Sequence, residues 1–381
     1  MKFVKLSLLA AFLTLSATAA NCEENTLTFS DVPYPVEILA APETAVGAVL
    51  YETPFSDPPL KGYDTVLIQG EMPDPDIRLQ VRIKNDPALK IYDKAVLHRF
   101  PGGRFWARYD LGSLTREPLK ITIINAGVTA SHTFILYGAE AFRAAVQKEA
   151  SSTGTAAGYE PDPGFYLPGE MPFTVVRRAE WKAVPPTQPY TPHAPEMFTL
   201  HHTQGNSPKN YAEAVQEMQF IQDYHQNGRG WIDIGYHFLI DPQGDIFEGR
   251  PINVVGAHVK NRNTGNVGIA IMGNFHPPVS QQPTKETLYT FAEMGKYLEA
   301  AYDLSVSSFH AHRELGPTDC PGNVLYALMP ELKDLIFSAT DIVPGPVLSA
   351  VGTDPLFSDT PAQAFPAFRQ LLEYNKKATN K

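Results

Sequence analysis

Five residues stand out for their types and spacing. His201 and His202 close the apolar run "MFTLHH", His310 and His312 sit in "VSSFHAH", and Cys320 follows in the Pro/Gly-rich bend of "HAHRELGPTDCPGN". Imidazole nitrogen and thiolate sulfur suit Zn²⁺, whereas Mg²⁺ and Ca²⁺ take oxygen donors. Catalytic zinc commonly takes three protein donors and keeps a fourth position for water or substrate. Neighbouring strand ends can unite these residues although about 110 positions separate the two histidine pairs. Two other readings account for the cysteine. One is a disulfide to Cys22, the second of only two cysteines, in an oxidising compartment. The other is a Cys–His nucleophile, although no helix N-terminus is aimed at the thiol from the preceding side. Spacing alone leaves the three readings open.

The elements that must position these residues can be read from periodicity. "MFTLHHT" and "NVGIAIMGNF" read as buried strands, "GYHFLIDPQGDIFEGR" as a hairpin turning at Pro242–Gly244, and "VSSFHAH" as another strand. "SPKNYAEAVQEMQFIQDYHQNG" predicts a helix with Ala214, Met218, Ile221 and His225 on one stripe and Gly228 as its stop. "PTKETLYTFAEMGKYLEAAYDL" predicts a second, with Leu288, Phe291, Gly295, Leu298 and Tyr302 in register, and "VLYALMPELKDLIF" a last one. Strands and helices mixed in this way predict an α/β domain, helices packed on a mixed central sheet, over residues 171–339.

Upstream the pattern changes. In "DIRLQVRIK", Ile77, Leu79, Val81 and Ile83 face one way and Arg78, Gln80, Arg82 and Lys84 the other, the period of a half-buried antiparallel strand. With "DTVLIQG", "RFWARYDL", "LKITIIN" and "HTFILYG" it predicts an all-β, sandwich-like accessory domain over 27–140. Its scattered histidines have no metal-ligand spacing. "EAFRAAVQKEA" predicts a short helix, and "SSTGTAAGYEPDPG" a linker, within 141–170. Residues 340–381 form a Pro/Gly/Asp-rich tail, helical at "AFRQLLEYNKK".

Met1–Ala20 reads as a secretory signal: Lys2 and Lys5, the apolar "LSLLAAFLTL", then small residues in "SATAA". The apolar run is too short for a membrane span, and no later one approaches that length. The expected mature protein is therefore periplasmic or secreted, with no transmembrane segment. Lipidation at Cys22 is the alternative, disfavoured because Asn21 precedes it. The formal charge of −10, with 41 acidic against 31 basic residues and no basic cluster, argues against nucleic acid as a partner.

From "RRAEWKAVPP" (Arg177–Pro186) to about Leu335 the sequence resembles the zinc-dependent N-acetylmuramoyl-L-alanine amidases of the peptidoglycan recognition protein type, or type 2 amidases. The resemblance rests on "TLHHT", "GWIDIGYHFLID", "GDIFEGR", "GAHVKNRNTGNVGIAIMGNF" and "HAHRELGPTDCPGN", in the family's order. It implies one Zn²⁺ per chain on His201, His312 and Cys320, with His202 and His310 as neighbours. It also implies a catalytic Tyr236 within "DIGYHF". Thr318 stands where phage-type members carry lysine, and it is a candidate to steady water or oxyanion. The implied substrate is peptidoglycan or its muropeptides, cut between N-acetylmuramic acid and L-alanine. Members lacking the cysteine are usually binding-only, so Cys320 favours catalysis over the alternative of a non-catalytic recognition module. A Cys-dependent peptidase is the other rival.

Three further candidates face the substrate in this reading. His258 is expected to contact glycan or assist proton transfer, and Arg250 and Arg262 to meet stem-peptide carboxylates. Glu248 and Asp233 lie near in sequence, but each is equally well explained as structural. After "EGR", the residues that help select the stem peptide in recognition proteins are here "PIN", which departs from the family's patterns.

Overall fold

The computed structural model describes residues 24–144 and 171–338, except 30, 31, 33, 73, 74, 87 and 89. Ten strands come first: β1 (Glu24–Thr26), β2 (Val36–Ala40), β3 (Val49–Glu52), β4 (Tyr63–Glu71), β5 (Ile77–Ile83), β6 (Ile91–Tyr92), β7 (Val96–Arg99), β8 (Arg104–Thr115), β9 (Leu119–Asn125) and β10 (His132–Phe142). They form two antiparallel sheets, β1-β10-β4-β8-β7 with β2 also on β10, and β3-β9-β5-β6. Ile77, Leu79, Val81 and Ile83 alternate inward as their period of two demands. They share one apolar cluster with Val66 and Ile68 of β4, Phe105 and Ala107 of β8, and Phe134 and Leu136 of β10.

The helix expected at "EAFRAAVQKEA" is corrected at its start. Glu140–Phe142 continue β10, because Ala141 and Phe142 are buried there and pair with β4. Ala144 is helical, and residues 145–150 of that helix lie outside the described residues, as do the leader, Cys22, the linker and the tail.

The second half is built on a six-stranded mixed sheet. Its strands are β11 (Val175–Val176), β12 (Met197–His202), β13 (Phe238–Ile240), β14 (Ile246–Glu248), β15 (Asn266–Ile271) and β16 (Phe309–Ala311), in the order β11-β14-β13-β15-β12-β16. Only β13–β14 is antiparallel. Strands β12 and β15 lie side by side inside the sheet, each with a neighbour on both edges, which is why both read as continuous apolar runs. Helix α1 (Tyr211–Asp223) starts at Asn210, whose side chain accepts from the Glu213 N–H, and it buries Ala214, Met218 and Ile221. Helix α2 (Lys285–Tyr302) is capped by Thr284 in the same manner. A short α3 (His312–Leu315) follows β16. The last expected helix is two, α4 (Asn323–Ala327) and α5 (Met329–Phe337). They meet at Leu328 because Pro330, which has no N–H to donate, is tolerated only in a helix's first turn. Among the described residues no helix is long and apolar enough to cross a membrane.

The two halves meet along β8 and α1. Phe105, Ala107 and Tyr109 enter the first core, so Arg104, Trp106 and Arg108 emerge on the opposite face of the same strand. Trp106 joins Leu67 and Phe142 in a cluster with Ala214, Met218, Phe220 and Ile221 of the second half. Around that cluster Arg104 forks onto Glu217 (Nε–Oε2 3.1 Å, Nη2–Oε1 3.0 Å). The Trp106 indole N–H donates to Asp223 Oδ2 at 2.7 Å, and Arg108 donates to the Gly228 carbonyl at 3.1 Å.

Candidate metal centre

His201 ends β12 on the central sheet, His312 follows β16 on the adjacent strand, and the bend after α3 carries Cys320 back to them. One side-chain donor from each of the three lies within 4.8 Å of the other two, an arrangement that can hold a metal ion. Cys320 Sγ is 3.5 Å from His201 Nδ1. Zn–S and Zn–N bonds of about 2.3 and 2.0 Å at a tetrahedral angle put sulfur and nitrogen about 3.5 Å apart. The donor chemistry fits as well. Burial holds His201 neutral, well below its ordinary range, as a metal-binding imidazole must be. Burial also pushes the Cys320 thiol up to about 12. A thiolate there needs a cation beside it, since a coordinating metal deprotonates a thiol outright. The His202 main-chain N–H points at Sγ from 3.4 Å and favours the anion.

Behind His201 the proton positions are fixed by a carbonyl. Asn266 O only accepts, so His258 Nε2, 3.0 Å away, is the donor. In a neutral imidazole Nδ1 is then the acceptor, and burial brings His258 down to about 3, which keeps it neutral. Its Nδ1 is 3.0 Å from His201 Nε2, which therefore donates. The lone pair left on His201 is on Nδ1, facing Cys320. Room for the His258 ring comes from Gly256 and Gly268, at each of which a β-carbon would lie 2.6 Å from it. His258, expected to contact glycan or assist proton transfer, is 8 % exposed and lies against His201.

Tyr236 is half-buried, its ring centroid 5.3 Å from that of His201. The loop carrying it is tied from beneath. His225 accepts the Gly235 N–H at Nδ1 (3.1 Å) and stacks on Trp231. His237 accepts the Gly268 N–H at Nδ1 and donates to Val254 O. Arg250 also serves this loop. It is 3 % exposed and donates to the carbonyls of Ile234 (2.6 Å), Val255 (2.8 Å) and Asp233 (3.2 Å). Its guanidinium is turned into the protein. Arg262 is exposed on the 256–265 loop.

Thr318 is exposed, and its hydroxyl oxygen accepts the Cys320 N–H at 3.2 Å, a local turn bond. Asp233 is fully buried between Arg178, Gln222 and Tyr190, and Glu248 accepts the Arg178 N–H. His310 pairs loosely with Glu314 at 3.7 Å, and His202 accepts the Phe275 N–H, so neither belongs to the three-donor group. The supporting roles of His225, His237 and Arg250 depend on main-chain partners 5 to 31 residues away, for which the only signal in sequence was histidine and arginine inside otherwise apolar strand and helix patterns.

Residues 191–323 match the family described as N-acetylmuramoyl-L-alanine amidase. Peptidoglycan-recognition protein SC2 of Drosophila melanogaster is 33 % identical over 161 residues, which cover 40 % of this chain and 83 % of the relative. The chain belongs to the peptidoglycan-recognition and type 2 amidase family. A human N-acetylmuramoyl-L-alanine amidase is also 33 % identical, over 160 residues that make up 40 % of this chain and 27 % of that protein. The solved structure of Drosophila peptidoglycan recognition protein SD is similar at 32 % identity, covering 42 % of this chain and 95 % of that one with a TM-score of 0.39.

Proposed function

We propose that this family member is a zinc-dependent N-acetylmuramoyl-L-alanine amidase that hydrolyses the amide between N-acetylmuramic acid and L-alanine of the stem peptide. The observation that carries this reading is the gathering of donors from His201, His312 and Cys320 within 4.8 Å of one another, with one imidazole lone pair aimed by a chain of hydrogen bonds. When bound, zinc supplies Lewis acidity to a carbonyl and acidifies water towards neutral pH.

The chain's own residues do the rest. His201 presents Nδ1 because His258 and Asn266 O hold its proton at Nε2. Cys320 contributes the charge that brings the site to a net +1 with a divalent cation, and the His202 N–H steadies it. Tyr236, a phenol that donates at neutral pH, stands beside His201 to hydrogen-bond the oxygen on which charge develops. Arg250, His225 and His237 hold its loop in place, and Thr318 fixes the turn that presents Cys320. Arg262 is the cation left to meet a stem-peptide carboxylate. The leader-like Met1–Ala20 supports action outside the cytoplasm.

A recognition module that holds peptidoglycan without cutting it is the second reading, and Cys320 is the observation against it. The test is mass analysis of products from a defined muropeptide, with zinc content measured in parallel. Release of the free stem peptide, lost with chelator and regained with zinc, is the expected result. Cleavage that survives chelation and stops on thiol alkylation would overturn it in favour of a Cys peptidase, and binding without cleavage would leave a recognition module.

A further inference from the structure

A cleft of about 420 Å³ opens between the two halves of the molecule. One wall is β-rich, with Glu37, Ile135 and Tyr137. The other is made by loops of the second half, with Asn206, Ser207 and Asn274. Those loops leave the carboxyl ends of β12 and β15, the end at which His201 sits and at which open α/β sheets bind ligands. They are stitched to one another and to the metal centre. Thr203 donates to Ile271 O and Gln204 to Gly273 O, both at 3.0 Å, and the Phe275 N–H reaches His202 Nδ1.

The first wall is fixed relative to the second. Tyr137 donates its hydroxyl to Glu71 at 2.7 Å. The Arg104 guanidinium lies over the Tyr137 and Phe220 rings while forking onto Glu217. Gly205, on the cleft lining, sits directly over that ion pair: a β-carbon there would be 3.2 Å from Arg104 Nη2 and 3.3 Å from Glu217 Oε1.

The chemistry of the lining selects its ligand. Arg104 is 5 % exposed and already paired; among the described residues the lining holds no cation, and its one exposed charge is the carboxylate of Glu37. A peptide rich in carboxylates is disfavoured. The Asn206 amide and the Ser207 hydroxyl, with Asn274 and Gln281 whose amide oxygens accept the His276 and Asn274 N–H groups, stand beside the apolar Ile135 and Val279, a combination that matches hydroxyl and acetamido groups on a ring with apolar C–H faces. The volume is that of a small-ligand site. We propose that this cleft is a glycan subsite: it takes uncharged N-acetylated amino sugars of the strand, so that the β-rich half lengthens the substrate groove past the sugar at the scissile bond. The proposal rests on peptidoglycan being the substrate.

The test titrates the metal-free full-length protein with tetra-N-acetylchitotetraose, a neutral probe, by calorimetry. Saturable binding is expected. Asn206→Ala should weaken it about fivefold, the worth of one neutral hydrogen bond, and Ser207→Trp, which fills the cleft, should abolish it, both with an unchanged melting temperature. A carboxylate-bearing free stem peptide should not compete. Absence of saturable binding up to about 10 mM, where a free energy near −3 kcal/mol would already register, overturns the proposal. So does undiminished binding in both variants. Hydrolysis is read separately on a muropeptide with zinc-loaded protein. Cleavage without probe binding removes the subsite alone, whereas probe binding without cleavage leaves the subsite standing and removes the amidase reading.

Discussion

His258 is where a substitution that replaces no proposed ligand should cost the metal site most. His258→Ala leaves the His201 Nε2–H buried without its acceptor and frees the ring to turn, and groups in this position are worth about 10–100-fold in metal affinity. Zinc titration against a competing chelator should show that loss; unchanged affinity would remove the positioning role. Tyr236→Phe separates chemistry from metal binding. It should lower turnover about 10²–10³-fold, as loss of an oxyanion donor does, with zinc content intact, and undiminished turnover would rule Tyr236 out. Acid should act through other imidazoles. Burial holds His225 and His237 well below the ordinary range. From about pH 6.5 downward the unfolded chain therefore binds protons that the folded chain refuses. Stability is complete above that pH and falls below it, by up to about 1.4 kcal/mol per pH unit for each ring. Urea melts of the metal-free protein between about pH 7.5 and 5 should show the slope, and His237→Gln should reduce it; a flat profile contradicts the buried neutral assignment. Donor type and strand ends mark His201, His202, His310, His312 and Cys320 as candidates, but only the family resemblance singles out His201, His312 and Cys320, the three that the structure gathers. The inward turn of Arg250 was not legible in sequence, since nothing in "EGR" records which carbonyls surround it.

At the scale of elements, β8 and α1 decide how the halves are joined. Arg104 and Glu217 are 6 % and 2 % exposed in their side chains, so removing one partner strands a buried charge. Glu217→Leu alone should cost about 3–5 kcal/mol, while Arg104→Met with Glu217→Leu together should come back close to neutral. Chemical unfolding of the four members of the cycle measures this, and additive single and double costs would contradict a coupled pair. The alternation in "RFWARYDL" predicted a strand. It did not reveal that both faces are covered, because Arg104 and Arg108 read as solvent residues until α1 is placed against them. The same limit explains Glu140–Phe142, which the pattern assigns to a helix but which pair as β10 once β1 and β4 flank them.

For the molecule as a whole, Trp106, Phe142, Met218 and Ile221 of the two halves share one buried apolar cluster, which predicts that the halves unfold together. Calorimetry of the full chain should give a single transition. A fragment of residues 171–338 should melt at lower temperature, because it exposes the α1 face that Trp106 and Leu67 cover. Two resolved transitions, or a fragment as stable as the whole, would show the interface to be weak. The separate patterns of the two halves were visible along the chain, period two giving way to period 3.6. Their joining depends on contacts more than 100 positions apart, such as Arg104–Glu217, and no local pattern carries that.

Because the histidine chain ends on the main-chain oxygen of Asn266, its outermost acceptor is supplied by whatever amino acid occupies that position. Genetic drift at 266 can disturb the Thr199 and Arg262 contacts of its side chain and still leave the proton of His258 where it is. The heritable information that sets the lone pair of His201 is thereby concentrated in the codons for Gly256, His258 and Gly268, two of which encode no side chain at all.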